Sequence, residues 1–262
     1  MDGLRAVLTP NRTVAPSTVR FIVAVQVLFA LGVWWLSPFA ALPKPQEVAR
    51  AFAKLWLEQG LSRELLTSFM LNLEALAIST VIALSLSYLT VLPVFRPIAA
   101  AISKGRFLGM VGLTFVFTLL VGGGRPLKLA LLTFGLTVFF LTSMVALVEE
   151  IPKSQFDHAR TLRMSEWRVV WEVVVLGTAD GAIEVLRQNA AIGWMMLTMV
   201  EGISRSEGGV GAMLLNQEKH FHLAEVFAIQ LMILTVGLLQ DFGIGVFKRA
   251  VCPYAELVLE RQ

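Results

Sequence analysis

The sequence has little that supports chemistry in water. Its 262 residues include one cysteine, Cys252, and three histidines. A lone thiol excludes an intrachain disulfide framework and a cysteine-based zinc site, and so says little about redox compartment. Charged residues make up 16% of the chain, against about 25% in a typical soluble domain. The basic surplus, 22 Lys and Arg against 19 Asp and Glu, is dispersed among apolar runs. It forms no stripe with interleaved aromatics, which excludes a nucleic-acid surface. A phosphate-binding loop is also missing. The stretch Gly122-Gly123-Gly124-Arg125-Pro126-Leu127-Lys128 lacks G-x-x-x-x-G-K-[ST] spacing and reads as a turn. His220 and His222 form an H-x-H without a nearby carboxylate pattern, so they read as loop histidines rather than metal ligands. With every histidine in a loop, an intramembrane enzyme lacks its base or metal cluster. The chain has neither internal repeats nor Gly/Pro-broken mid-spans, which weighs against an autonomous carrier or channel.

What is present is apolar. Hydrophobic residues account for 56% of the sequence, and the mean hydropathy is +0.72. A helical span of the bilayer core takes about 20 residues, so the length allows roughly five to seven spans and no sizeable soluble domain. Charge-free runs cover 21–43 (23 residues), 75–95 (21), 107–124 (18), 129–148 (20), 188–200 (13) and 226–240 (15). Six runs imply an all-α membrane protein of about six transmembrane helices, at about 21–37, 66–92, 107–122, 128–148, 182–203 and 223–247. They form one membrane domain, 20–250, between an N-terminal tail, 1–19, and a C-terminal tail, 251–262. The first run follows Arg5, Arg12 and Arg20 without a small-residue cleavage site and is expected to be an uncleaved span. The last two reach membrane length only by including Glu184 and Arg187, or Glu225 and Asp241, and are expected to be the least lipid-exposed.

Lys and Arg alternate unequally between loops. Thirteen fall on the side of the termini, eight on the other, and Arg187 lies inside a helix. The positive-inside rule then places both termini in the cytoplasm. Two connections exceed a turn. The outer one, 45–58, reads PQEVARAFAKLWLE, with Val48, Phe52, Leu55 and Trp56 at helical spacing, and predicts an amphipathic surface helix. The inner one, about 150–180, predicts a short helix with Phe156, Ala159 and Leu162 on one face and Asp157, Arg160 and Arg163 mostly turned away. A short helix held off the bilayer suits docking of a soluble partner.

This inner loop resembles the EAA loop in the permease subunits of binding-protein-dependent ABC importers, particularly the nitrate, sulfonate and taurine branch. The branch pattern is (E/D)-x-A-x-x-L-G-(A/M)-S, and here the stretch is Asp157-His158-Ala159-Arg160-Thr161-Leu162-Arg163-Met164-Ser165. Val174-Val175-Leu176-Gly177 and Val185-Leu186-Arg187 continue the likeness. So do Met199-Val200-Glu201-Gly202, Gly208-Gly209-Val210-Gly211, Gly237-Leu238-Leu239-Gln240-Asp241 and, upstream, Leu42-Pro43-Lys44-Pro45-Gln46-Glu47-Val48. The likeness runs from about residue 40 to 255. It departs at Arg163, where the family has glycine, at two prolines replaced by Gly177 and by Gly181 or its neighbour, and in a third run without proline between Ile98 and Arg125. An Arg forced to positive φ is strained, so the turn is expected to be reshaped. A divergent subfamily and a degenerate half of a heterodimer both account for these departures.

The resemblance implies a type I importer permease with a cytoplasmic coupling helix in the bacterial inner membrane. It implies a non-enzymatic subunit that works by alternating access, moving a small, nitrate-, sulfonate- or taurine-like solute. The implied partners are ABC ATPase subunits, which carry the ATP and Mg, a second permease subunit, and a periplasmic or lipid-anchored solute-binding protein. No cofactor or metal is implied on this chain. Phe156, Ala159 and Leu162 are expected as apolar docking contacts, and Asp157, His158, Arg163 and Ser165 as polar members of the coupling loop. Intramembrane polar residues are the default candidates for a solute path. Here they are Asn72, Glu74, Glu184, Arg187 and Glu201, with Glu184 and Arg187 spaced to pair on one helix face, and Glu201 equally suited to anchoring a loop.

Overall fold

The computed structural model describes residues 16–39, 42–204 and 207–253. Most of both expected tails, with Arg5, Arg12 and Arg261, lies outside the described residues, as does Arg205. Within them every regular element is helical. In chain order these are α1 (Pro16–Leu36), α2 (Pro45–Glu58), α3 (Leu61–Leu89), α4 (Arg96–Ser103), α5 (Met110–Val121), α6 (Arg125–Glu149), α7 (Lys153–Thr161), α8 (Glu166–Val169), α9 (Ala179–Ile203), α10 (Val210–Lys219) and α11 (Leu223–Val251). Two 3₁₀ turns flank α4, at Pro93–Phe95 and Lys104–Phe107, and a π-helical stretch, Val170–Leu176, follows α8.

Four helices, α1, α3, α6 and α11, are long and apolar enough to cross a membrane, and the bent pair Pro93–Phe107 plus Met110–Val121 is a fifth candidate. The sixth element is α9. Its 25 residues give about 37 Å of helix, enough to span, while Asp180, Glu184, Arg187 and Glu201 lower its hydropathy. The charge-free run at 107–124 does not make one straight span. Only 12 residues of it form α5, and the chain turns by 115° at Leu108-Gly109, both extended.

The core is a three-helix junction. α3 packs most extensively on α6, and α9 closes over both. Leu131, Leu132, Leu136, Phe140, Leu141 and Met144 of α6 are fully enclosed, alongside Ala75 and Ala83 of α3 and Leu197 of α9. Small residues at such crossings let backbones approach, the main source of packing energy where lipid tails are as apolar as leucine. Gly105 is one such point. A Cβ there would lie 3.3 Å from a Val138 methyl, so the elbow can rest directly on α6. α1 differs from the other spans, with none of its apolar window buried.

α2 is the predicted amphipathic helix. Glu47 accepts a hydrogen bond from the Lys44 backbone at 2.9 Å, and Pro45 occupies the first turn, both favourable helix starts. Val48, Ala51 and Leu55 bury against α11, while Phe52 and Trp56 pair at 5.6 Å on the outward side. Lys54 and Glu225 link the same two helices at 3.5 Å.

Phe140 is completely enclosed, and truncation of such a residue costs about 3–5 kcal/mol. Phe140→Ala is therefore expected to lower the thermal midpoint in detergent clearly, whereas Phe115→Ala on the exposed face of α5 leaves it nearly unchanged.

Candidate functional site

The inner loop is built by caps. α7 starts after Pro152, an extended residue, and ends at Leu162. The Arg163 N–H then donates to the Arg160 carbonyl at 2.9 Å, and the Met164 N–H to the Ala159 carbonyl at 3.4 Å. These two bonds are a Schellman cap, which requires the residue after the C-cap in the left-handed region. That residue is Arg163, at φ 56°. The expected reshaping does not occur: the turn keeps positive φ, and the two cap bonds hold an unfavourable residue there. The cost of an L side chain in this region is about 1–2 kcal/mol.

A second tie joins α7 to α8. Arg160 donates from Nε and Nη2 to the two carboxylate oxygens of Glu166, at 3.0 and 3.2 Å, and lies 3.5 Å from Asp157. This fork holds the Glu166 carboxyl below its ordinary range, through the Arg160 hydrogen bond first and its charge second. Ser165 sits extended between the helices as the N-cap position of α8. Sequence reasoning gave Arg160 only a topological role, although an Arg three residues after Asp157 and six before Glu166 was the available signal.

The apolar face is split by the fold. Ala159 is buried and lines a cleft of about 370 Å³ with His158, Met164, Val173 and Gly177. Phe156 is half-buried, whereas Leu162 is 59% exposed. Asp157, His158, Arg163 and Ser165 are exposed. Further along the loop, one turn apart, stand Trp167 and Trp171, 71% and 57% exposed, which the sequence reading passed over. The π-helical stretch ends at Gly177, where a Cβ would run into the carbonyl oxygen of Val173.

The intramembrane residues form separate groups. Glu74 of α3 pairs with Arg125 at the start of α6. Glu184 lies 3.7 Å from Arg187, as their spacing predicts, but the closer partner of Arg187 is on another helix. Its guanidinium meets Asp241 of α11 bidentately at 2.5 and 2.7 Å, and Lys248 reaches Glu184 at 3.1 Å. This network bolts α9 to α11. Asn72 is fully buried where α3 meets α9, with neither amide atom hydrogen-bonded among the described residues. Gly193 makes that approach possible, since a Cβ there would come within 2.5 Å of the Asn72 carbonyl oxygen.

Glu201 is buried at the other end of α9. Its carboxylate accepts from Ser68 Oγ at 2.6 Å and from the Gly211 N–H at 2.8 Å. Ser68 Oγ in turn accepts from the Val210 N–H at 2.9 Å, and Glu64 accepts from the Gly209 N–H. Lys128, also buried, donates to the Gly208 carbonyl at 2.7 Å. Three helices thus clamp one glycine loop. Gly208 and Gly209, at φ 69° and 106°, allow its amides to turn inward. Of the two uses the sequence left open for Glu201, loop anchoring is what these contacts perform. Lys128, counted from sequence as a loop charge, is part of the same clamp.

No family model and no curated protein matches the chain. Among solved structures it is similar to a chain of the methionine ABC transporter MetNI in inward-facing conformations. The TM-score is 0.64 at 17% identity, over 76% of this chain and 98% of that one.

Two outcomes test the caps. Arg163→Gly is expected to stabilise the fold by about 1 kcal/mol, read as a raised thermal midpoint, because glycine removes the left-handed penalty. Glu201→Leu, which orphans the Ser68 and Gly211 donors, is expected to cost about 1–3 kcal/mol in the same assay.

Over 76% of its length the chain thus shares its all-α fold with a chain of that transporter.

Proposed function

We propose that this chain is the membrane-spanning permease subunit of an ATP-driven importer, working by alternating access. The observation that carries the reading is the shared fold over 98% of a chain from such an importer. The capped inner loop supports it, because a rigid helix with exposed anchors transmits force from a docked motor. ATP and Mg belong to separate ATPase subunits in this scheme. A second permease subunit completes the path, and a periplasmic or lipid-anchored binding protein delivers solute. The chain resides in the bacterial inner membrane with both termini cytoplasmic.

Within the loop, Leu162 and Phe156 serve as apolar docking contacts, and Asp157, His158 and Arg163 as polar ones. Ala159 acts from inside, as the small residue that lets α7 lie over Val173 and Gly177. Ser165 and the Arg160–Glu166 fork set the angle between α7 and α8. Glu74, Glu184 and Arg187 are each more than a third exposed and are the candidate path residues, whereas Asn72 and Glu201 hold the subunit core. The solute is proposed to be a small anion, on the motif order shared with nitrate, sulfonate and taurine permeases. The solved neighbour transports methionine, so uptake competition between sulfonates and methionine separates the two classes.

Arg163 in a strained cap favours one further reading, a heterodimer in which the second subunit carries the regular loop. Co-purification tests both. The chain is expected to bring down an ATPase subunit, and Leu162→Asp is expected to reduce that association at least about fivefold, since an unpaired carboxylate in a docking groove costs about 1–3 kcal/mol, while membrane insertion is retained. Unchanged association and uptake in this variant would remove the loop from the mechanism. A second, non-identical permease in the eluate decides for the heterodimer.

A further inference from the structure

The elbow between α3 and α5 carries Arg96, Lys104 and Arg106, and the sequence has no acidic residue from 75 to 148. Among the described residues none of the three joins an ion pair. Arg96 donates from Nε to the Thr90 carbonyl at 3.1 Å, and the Arg106 guanidinium lies 5.1 Å from the centre of the Phe107 ring. All three side chains are exposed, leaving their charge uncompensated.

The surroundings are apolar. Val94, Ile98, Phe107 and Leu108 are 46–78% exposed around these cations. Because the chain turns by 115° here, the elbow runs across the direction of α5 rather than along it. Under the elbow, a cleft of about 150 Å³ opens against α6, lined by Leu108, Met110, Phe134, Val138 and Phe139, with Arg106 on its rim.

We propose that the elbow binds an anionic phospholipid, its headgroup phosphate on Arg106 and Lys104 and the first few methylenes of an acyl chain in the cleft beneath them. The inference rests on the membrane reading of the chain, not on its coupling to an ATPase. Exposed cations beside exposed apolar side chains on a segment turned across the spans match an interfacial anchor. Anionic headgroups on the cytoplasmic leaflet supply the complementary charge. A free anion is a poorer match, because exposed cations in water are screened and the flanking Ile98, Phe107 and Leu108 need hydrocarbon, not solvent.

Native mass spectrometry of the detergent-purified chain, titrated with phosphatidylglycerol and phosphatidylcholine, provides the test. The wild-type chain is expected to retain phosphatidylglycerol at least tenfold better. The double variant Lys104→Gln/Arg106→Gln is expected to lose about thirty-fold in phosphatidylglycerol affinity, as two cations at an anionic surface contribute. Arg249→Gln, a lone exposed cation at the end of α11, is expected to bind as wild type. Equal retention of both lipids, or an unaffected double variant, would overturn the proposal. So would an equal loss in Arg249→Gln, which indicates diffuse charge, or displacement by millimolar inorganic phosphate, which indicates a soluble-anion site. The readout needs neither ATPase nor transport, so an ATPase that fails to co-purify leaves it intact.

Discussion

Hydrocarbon offers no partner to a backbone N–H or carbonyl, and that constraint organises the rest of this protein. It makes each spanning element helical and forces a break in helical pairing at membrane depth to find a substitute. The breaks are where the informative contacts lie. Beyond α7, two Schellman bonds take up the freed amides at Arg163 and Met164. Between α9 and α10, the amides of Gly209, Val210 and Gly211 are taken up by Glu64, Ser68 and Glu201. The side chains used are those a hydropathy profile treats as interruptions.

The same economy governs charge. An isolated ion at membrane depth is expensive, and Glu74, Arg125, Lys128, Glu184, Arg187, Glu201, Asp241 and Lys248 are all found in pairs or on backbone groups. Arg187 with Asp241 and Lys248 with Glu184 convert two costly pairs into a link between α9 and α11. Lys128 and Glu201 do the same for the glycine loop, without touching each other's partners. Asn72 departs from this pattern, its amide unpartnered among the described residues where α3 meets Gly193 of α9.

At the inner loop, sequence and packing give different emphasis to the same residues. The helical stripe Phe156, Ala159, Leu162 exists, but the cleft over Val173 and Gly177 absorbs Ala159 and leaves Leu162 outside. Trp167 and Trp171 on the following segment are exposed as well. Arg160 holds α7 to α8 through Glu166, a part beyond the topological one its position in the loop suggests.

Composition and charge-free runs alone determined that this is a helical membrane protein, because apolar length maps directly onto bilayer thickness. The amphipathic helix at 45–58 and the inner loop helix were equally legible, since a 3.6-residue period needs no knowledge of the partner. The resemblance to importer permeases rests on scattered motifs, and what the solved neighbour shares with the chain is its fold. What only the tertiary structure decided was pairing across helices. Arg187 could be matched to Glu184 by spacing, but its choice of Asp241, 54 residues away, depends on how α9 and α11 cross. The bend at Leu108-Gly109 has the same origin: it is unmarked in the run 107–124, and the elbow before it rests on α6 where Gly105 meets Val138, a contact between segments that no single stretch of sequence contains. The left-handed Arg163 is different, since its cap bonds to Ala159 and Arg160 are local.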